Sequence, residues 1–182
     1  AATKTFVTSA VASLTLLAHW KQDNLLLEAI DNLPEYFENA ANYDWPKLRR
    51  SLEKTGSLYV LGRGPSYAMS DEAALKFKET CQIHAESYSS AEVLHGPVSI
   101  VEPGYPVLVF ASRDASEDSI VSVADNLAKQ GAVTFITSDR AKYAERLDFA
   151  KTSHPLTDPL ALIVSFYAFI ERLSVERGIN PD

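Results

Sequence analysis

At Gly56 the hydrophobic pattern changes period, and that change narrows the folds open to this chain. Residues 57–62, 106–111 and 132–137 are short apolar runs bounded by glycine, proline or polar turn residues. Such runs are expected of strands buried on both faces. Between and after them, residues 66–82, 116–130 and 159–177 carry apolar side chains at helical spacing; Ala74, Phe77 and Cys81, for example, fall at i, i+3 and i+7. The last of these helices is apolar on most sides, so burial is expected. Residues 85–89 read as extended and 91–95 as a short helix closed by Gly96-Pro97. A short helix over 141–147 and a strand over 149–152 complete the reading. Apolar strands alternating with helices predict an α/β fold: a three-layer sandwich with a mostly parallel sheet and helices on both faces.

The first part of the chain is purely helical in pattern. Helices are expected over 3–21, 24–41 and 44–54, the third with Asp44 as N-cap and Gly56 as its stop. A boundary near residue 43 divides a helical lead-in, 1–43, from an α/β body, 44–182. The 182 residues suffice for one domain with a full core, and an apolar fraction of 46% with 23% charged residues is ordinary for a globular protein. A net charge of −7 argues against nucleic acid or an anionic membrane as partner, but not against a small anion held by local N–H groups. The longest apolar stretch, 14–20, contains a histidine and is too short to span a bilayer. Cys81 is the only cysteine, so a reducing, cytoplasmic setting is expected. Residue 1 is alanine and the only methionine is Met69, so a processed or partial chain, with further residues upstream, is expected.

Several side chains have the chemistry for a site. Lys76 and Glu79 are i, i+3 neighbours on one helix, so they share a face. They read either as a solvated ion pair or, if Glu79 lies in a closed pocket, as a tuned proton-transfer carboxylate beside a cation. His95 stands on the corner made by Gly96-Pro97, either as an ordinary loop histidine or as an acid–base group facing a cleft. Glu92 and His95 have the E-x-x-H spacing of a carboxylate metal site, but a single copy fixes no further ligand, and no metal is expected. The turn Gly62-Arg63-Gly64-Pro65-Ser66, between a strand and a helix, stands where anions are often bound. Residues 112–118 occupy a similar place but carry three acids, and read as helix caps. Phe166, Tyr167 and Phe169 read as core.

In order along the chain, Gly62-Arg63-Gly64-Pro65-Ser66-Tyr67, Glu72-Ala73-Ala74-Leu75-Lys76-Phe77-Lys78-Glu79, Ile83-His84-Ala85-Glu86-Ser87-Tyr88 and Ala91-Glu92-Val93-Leu94-His95-Gly96-Pro97 resemble the SIS (sugar isomerase) superfamily. The match is to the second SIS domain in the isomerase part of glucosamine–fructose-6-phosphate aminotransferases and in the related glucosamine-6-phosphate deaminases. The opening, from Ala1 to Thr8, resembles the segment joining the family's two SIS domains. The ending, from Val175 to Asp182, resembles its closing helix and the start of its tail.

The resemblance implies roles. Glu79 falls on the general base that moves a proton between sugar carbons 1 and 2, and Lys76 on the lysine beside it. His95 falls on the histidine that helps open the sugar ring, donated across a homodimer interface. Ala1 and Ala2 fall on a loop that touches the sugar. The implied activity is that of a sugar-phosphate isomerase or deaminase acting on an amino-sugar phosphate, with neither metal nor organic cofactor. A non-catalytic module that senses a sugar phosphate, and the isomerase part of a glutamine-dependent aminotransferase, are the competing readings. Two family features are not matched: the serine/threonine phosphate loops of the first SIS domain, and the tail lysine beyond residue 182.

Overall fold

The computed structural model describes residues 2–53 and 55–181. Five strands form one parallel sheet: β1 (Ser57–Gly62), β2 (His84–Ser89), β3 (Pro106–Phe110), β4 (Val133–Ile136) and β5 (Glu145–Arg146). Their spatial order is β2-β1-β3-β4-β5. Tyr59 stands opposite Glu86 on one side and Val107 on the other, which fixes the register of the three strands at that end of the sheet.

Alternation along the strands sorts the core into two layers. Leu58, Val60, Leu108, Phe110 and Phe135 face one side, where they meet the helices α4 (Pro46–Leu52), α5 (Ser66–Cys81) and α7 (Asp158–Glu176). Tyr59, Leu61, Val107, Val109 and Ile136 face the other, where α6 (Glu117–Lys129) covers them. Period-two side-chain direction makes this division automatic once both faces are apolar. The lead-in helices α1 (Lys4–Lys21), α2 (Asn24–Asp31) and α3 (Leu33–Ala41) lie against the body, α1 and α3 in contact with α7. The expected three-layer α/β architecture is therefore present.

Four local expectations are corrected. The helix expected over 24–41 is two helices, broken at Asn32, because Pro34 has no N–H for the Ile30 carbonyl. Asp44 does not cap α4; Trp45 holds that position, and Asp44 is ion-paired with Arg49. The expected helix over 141–147 is absent. Asp125, on α6, accepts hydrogen bonds from the N–H groups of Lys142, Tyr143 and Ala144 at 2.8–3.1 Å, and the chain then runs into β5 beside β4. Residues 149–152 follow an irregular path and join no ladder. Among the described residues, no helix is long and apolar enough to cross a membrane.

The joint between β1 and α5 depends on one glycine. A Cβ at Gly62 would lie 2.6 Å from both the Ser66 carbonyl oxygen and the Tyr67 Cα. Only glycine lets the start of α5 pack this closely on the end of β1. Ser66 Oγ, fully buried, lies 2.8 Å from the carbonyl oxygens of Arg63 and Phe110, which fixes the turn to β3.

Candidate active site

Helix α5 carries two stripes. Ala73, Phe77 and Cys81 pack into the core beside the sheet, whereas Glu72, Lys76 and Glu79 recur at i, i+4 and i+7 on another line of the same helix. Lys76 is only 3% exposed. Its Nζ donates to Glu79 Oε2 at 2.7 Å and lies 3.3 Å from Glu72 Oε1. A buried ammonium needs such partners, since its loss of hydration would otherwise neutralise it. Burial pulls the Lys76 pKa down, but the hydrogen bond to Glu79 and the charge of Glu72 outweigh it, so the pKa is raised and the amine stays cationic.

Tyr167 of α7 extends this cluster. Its hydroxyl donates to Glu72 Oε1 at 2.7 Å, the same oxygen that faces Lys76. Burial, then the hydrogen bond to Glu72 and its charge, push the phenol pKa far up, so it remains a donor. Tyr167 is thus more than core. Its ring packs beside Phe166, with centroids 6.3 Å apart, while its oxygen belongs to the charged cluster.

Lys76 and Tyr167 lie on the wall of an open cleft of about 360 Å³ between α5 and α7. Thr3, at the beginning of the chain, and Pro181, at its end, line the same cleft. The fold thus gathers the opening segment, the closing segment and the lysine of α5 in one place. Ala2, beside Thr3, is exposed; Ala1 lies outside the described residues. The Glu79 side chain is 42% exposed rather than enclosed; it does not itself line this cleft, but it is ion-paired to Lys76, which does. The cleft lies toward the C-terminal end of α5, the end at which the neighbouring strands begin.

The crevice outside the carboxyl ends of the strands, the usual ligand position in such sheets, has a different character. Strand order reverses between β1 and β3, so the turns after these strands define it. Arg113 is committed to Asp158, with Nη2 2.7 Å from Oδ1 and Nε 2.9 Å from Oδ2. Asp114 Oδ1 accepts the N–H and the hydroxyl of Ser116, at 2.7 and 2.6 Å. A Cβ at Gly64 would meet Asp114 Oδ2 at 3.5 Å, so a carboxylate sits where an anion would approach that turn. Residues 112–118 thus form a self-bonded turn, and the cap expected there is not made: Ser116 holds the N-cap position of α6 without a side-chain hydrogen bond to the helix.

His95 is not brought to Lys76 and Glu79 within one chain. It ends a 3₁₀ turn, Glu92–His95, and its side chain is exposed. Buried Val93 pins the turn to the core, and the Tyr59 hydroxyl donates to the Pro97 carbonyl at 3.1 Å beyond it. Gly96, at φ +142°, makes the corner between them. Leu94 and Ile100, on either side of the corner, are about half exposed. Glu72 and Tyr167 were not legible as site residues from local pattern. The i, i+4, i+7 spacing of Glu72, Lys76 and Glu79 was the available signal for Glu72. Tyr167 gave none, because its partner is 95 residues away in sequence.

Comparison with known proteins places the fold. The SIS domain profile matches residues 51–170. A glutamine–fructose-6-phosphate aminotransferase (isomerizing) from Pyrobaculum aerophilum is 34% identical over the whole of this chain, which spans 32% of that relative's length. A crystal structure of a Silicibacter pomeroyi protein assigned as a phosphosugar isomerase is 57% identical, with a TM-score of 0.95, over 98% of this chain and 55% of that one. A glucosamine-6-phosphate deaminase from Thermotoga maritima, 20% identical with a TM-score of 0.73, covers all of this chain with 54% of its own and shares the fold. The chain thus spans about a third of the curated aminotransferase and about half of these two solved structures. A profile match across more than half its length, on a five-stranded parallel sheet covered on both faces, makes this chain a member of the SIS domain family.

Proposed function

We propose that this chain is the catalytic half of a phosphosugar isomerase that acts on an amino-sugar phosphate, converting glucosamine 6-phosphate and water to fructose 6-phosphate and ammonia. One observation carries the reading: a buried ammonium, Lys76, lines a sugar-sized cleft while bonded to a half-exposed carboxylate, Glu79. The names of the relatives, all concerned with phosphosugars or amino-sugar phosphates, support the substrate class.

The chemistry needs a base that takes a proton from one sugar carbon and returns it to the next. In the open-chain amino sugar, Glu79 removes the proton from carbon 2, and electron density moves toward the carbon 1 oxygen. Lys76 stabilises that developing negative charge. Glu79 then delivers the proton to carbon 1 while the carbon 1 oxygen gains a proton and the carbon 2 nitrogen loses one through solvent; this leaves a hydroxymethyl group and an imine, and water hydrolyses the imine to the ketone and ammonia. Ala2, beside Thr3, contributes backbone to the sugar site. His95 opens the ring in the site of a neighbouring subunit. Its exposure, flanked by half-exposed Leu94 and Ile100, suits a surface that meets another protein. The phosphate is held by the remainder of the full-length protein.

The test uses the full-length protein with glucosamine 6-phosphate, following ammonia and fructose 6-phosphate. Glu79→Gln keeps the size of the side chain and removes the base; kcat is expected to fall about a hundredfold or more, with KM within a few-fold. Turnover that survives the substitution overturns the mechanism. Tight binding without turnover by the unaltered protein assigns it instead to sugar-phosphate sensing.

A further inference from the structure

We infer that Tyr167 is a positioning residue for this reaction: its hydroxyl holds Glu72 in place as the permanent counter-ion of Lys76. The inference rests on the reading of Glu79 and Lys76 given above and adds a residue to it.

The geometry is a relay of contacts across two helices. Tyr167 Oη donates to Glu72 Oε1 at 2.7 Å, that oxygen is 3.3 Å from Lys76 Nζ, and Lys76 Nζ is 2.7 Å from Glu79 Oε2. Glu72 is 8% exposed, so water does little to orient it. A buried carboxylate keeps its direction only through its hydrogen bonds. Tyr167 supplies one from a different helix, and α7 is fixed by Phe166 and Phe169, both fully buried.

The need for a second counter-ion follows from the proton shuttle. When Glu79 takes the proton from carbon, it becomes neutral. Lys76 then sits buried beside a carboxylic acid, at the step when its charge is required by the developing oxyanion. Glu72 is the only other carboxylate paired with Lys76 among the described residues. Held by Tyr167, Glu72 keeps Lys76 charged and on the cleft wall through that step. Burial and the neighbouring Glu72 charge push the phenol pKa up, so Tyr167 donates throughout.

Tyr167→Phe removes the hydroxyl and leaves the ring against Phe166. In the full-length protein, kcat for glucosamine 6-phosphate is expected to fall roughly tenfold, with KM nearly unchanged. In the Glu72→Gln background the same change should have little further effect, because both act on one counter-ion. An unchanged kcat, or effects that multiply, overturns the inference. A second readout does not depend on turnover. Brief acetic anhydride labelling, read by mass spectrometry, should modify Lys76 several-fold faster in Tyr167→Phe, with the other lysines unchanged. Faster Lys76 labelling in a protein that turns over no amino-sugar phosphate upholds the positioning role and removes the proposed reaction. Unchanged labelling removes the positioning role whatever the activity. If Tyr167→Phe fails to accumulate folded, Tyr167→Met is put through the same labelling comparison.

Discussion

At the scale of single residues, the side chains that matter most are polar ones buried with partners. Asp125 is the simplest case. Burial alone would raise its pKa, but three backbone N–H groups and the nearby Lys129 charge outweigh it, so the pKa is lowered below the ordinary carboxylate value. A group with a depressed folded-state pKa adds stability above its unfolded pKa, and that stability is lost as pH falls through the folded value. Asp125→Ala leaves three N–H groups of the 142–144 turn without their acceptor and is expected to cost about 2 kcal/mol at pH 7. Urea unfolding of both proteins at a series of pH values checks it: the gap should close as pH is lowered below about 4. A gap that stays constant into acid would remove the ionised carboxylate from the explanation. This residue also shows where reading by pattern stops. Nothing around residues 141–147 announces that a carboxylate on α6 will collect their N–H groups, so helical periodicity was the only signal there, and it misled. Lys76 and Glu79 were legible because both partners lie on one helix turn. Tyr167 was not, because its role exists only once α5 and α7 are side by side.

At the scale of elements, periodicity served well where burial is complete. β1, β3 and β4 were readable because strands covered on both faces must be apolar throughout. Helix α7 was readable because it is the central contact of its layer, with Phe77 and Phe166 ring centroids 5.3 Å apart and Trp45 and Phe169 5.5 Å apart. β2 was only half legible, since it forms the edge of the sheet and all but Ala85 are partly or fully exposed. The passage from β1 to α5 is the point at which two elements constrain each other most. Gly62→Ala places a methyl group 2.6 Å from backbone atoms of Ser66 and Tyr67, which cannot move without shifting the whole of α5. The expected cost is about 2–3 kcal/mol, in the range of overpacked core positions. Because α5 carries Glu72, Lys76 and Glu79, the same shift should lower turnover in the fraction that remains folded. Thermal unfolding together with kcat measured well below the midpoint tests both parts. An unchanged midpoint would mean that α5 is less tightly tied to β1 than the contacts imply.

At the scale of the whole molecule, the candidate residues stand in two separate places. Lys76, Tyr167, Thr3 and Pro181 share one cleft, whereas the exposed His95 side chain stands on its own corner with no hydrogen bond or ion pair to another described residue. If His95 serves the site of a second copy, each active site of the dimer contains Glu79 from one subunit and His95 from the other. This arrangement has a consequence that a site within one chain does not share. Full-length Glu79→Gln and His95→Ala proteins, each inactive alone, are dissociated together and reassembled. In a mixed dimer, one site receives the intact Glu79 of the second variant and the intact His95 of the first, while the other site has neither. Random pairing makes half of the dimers mixed, and each has one working site of two, so about a quarter of the unaltered activity should return. The recovered activity should carry the unaltered KM, since the working sites are complete. No recovery, from dimers shown by mass spectrometry to have exchanged subunits, would place both groups in the same chain's site or remove His95 from the reaction. Combining both substitutions in one chain and mixing it with unaltered protein gives the converse check on crossing. Crossed sites leave every site of a mixed dimer one group short, so activity should fall below the simple average; uncrossed sites leave it at the average.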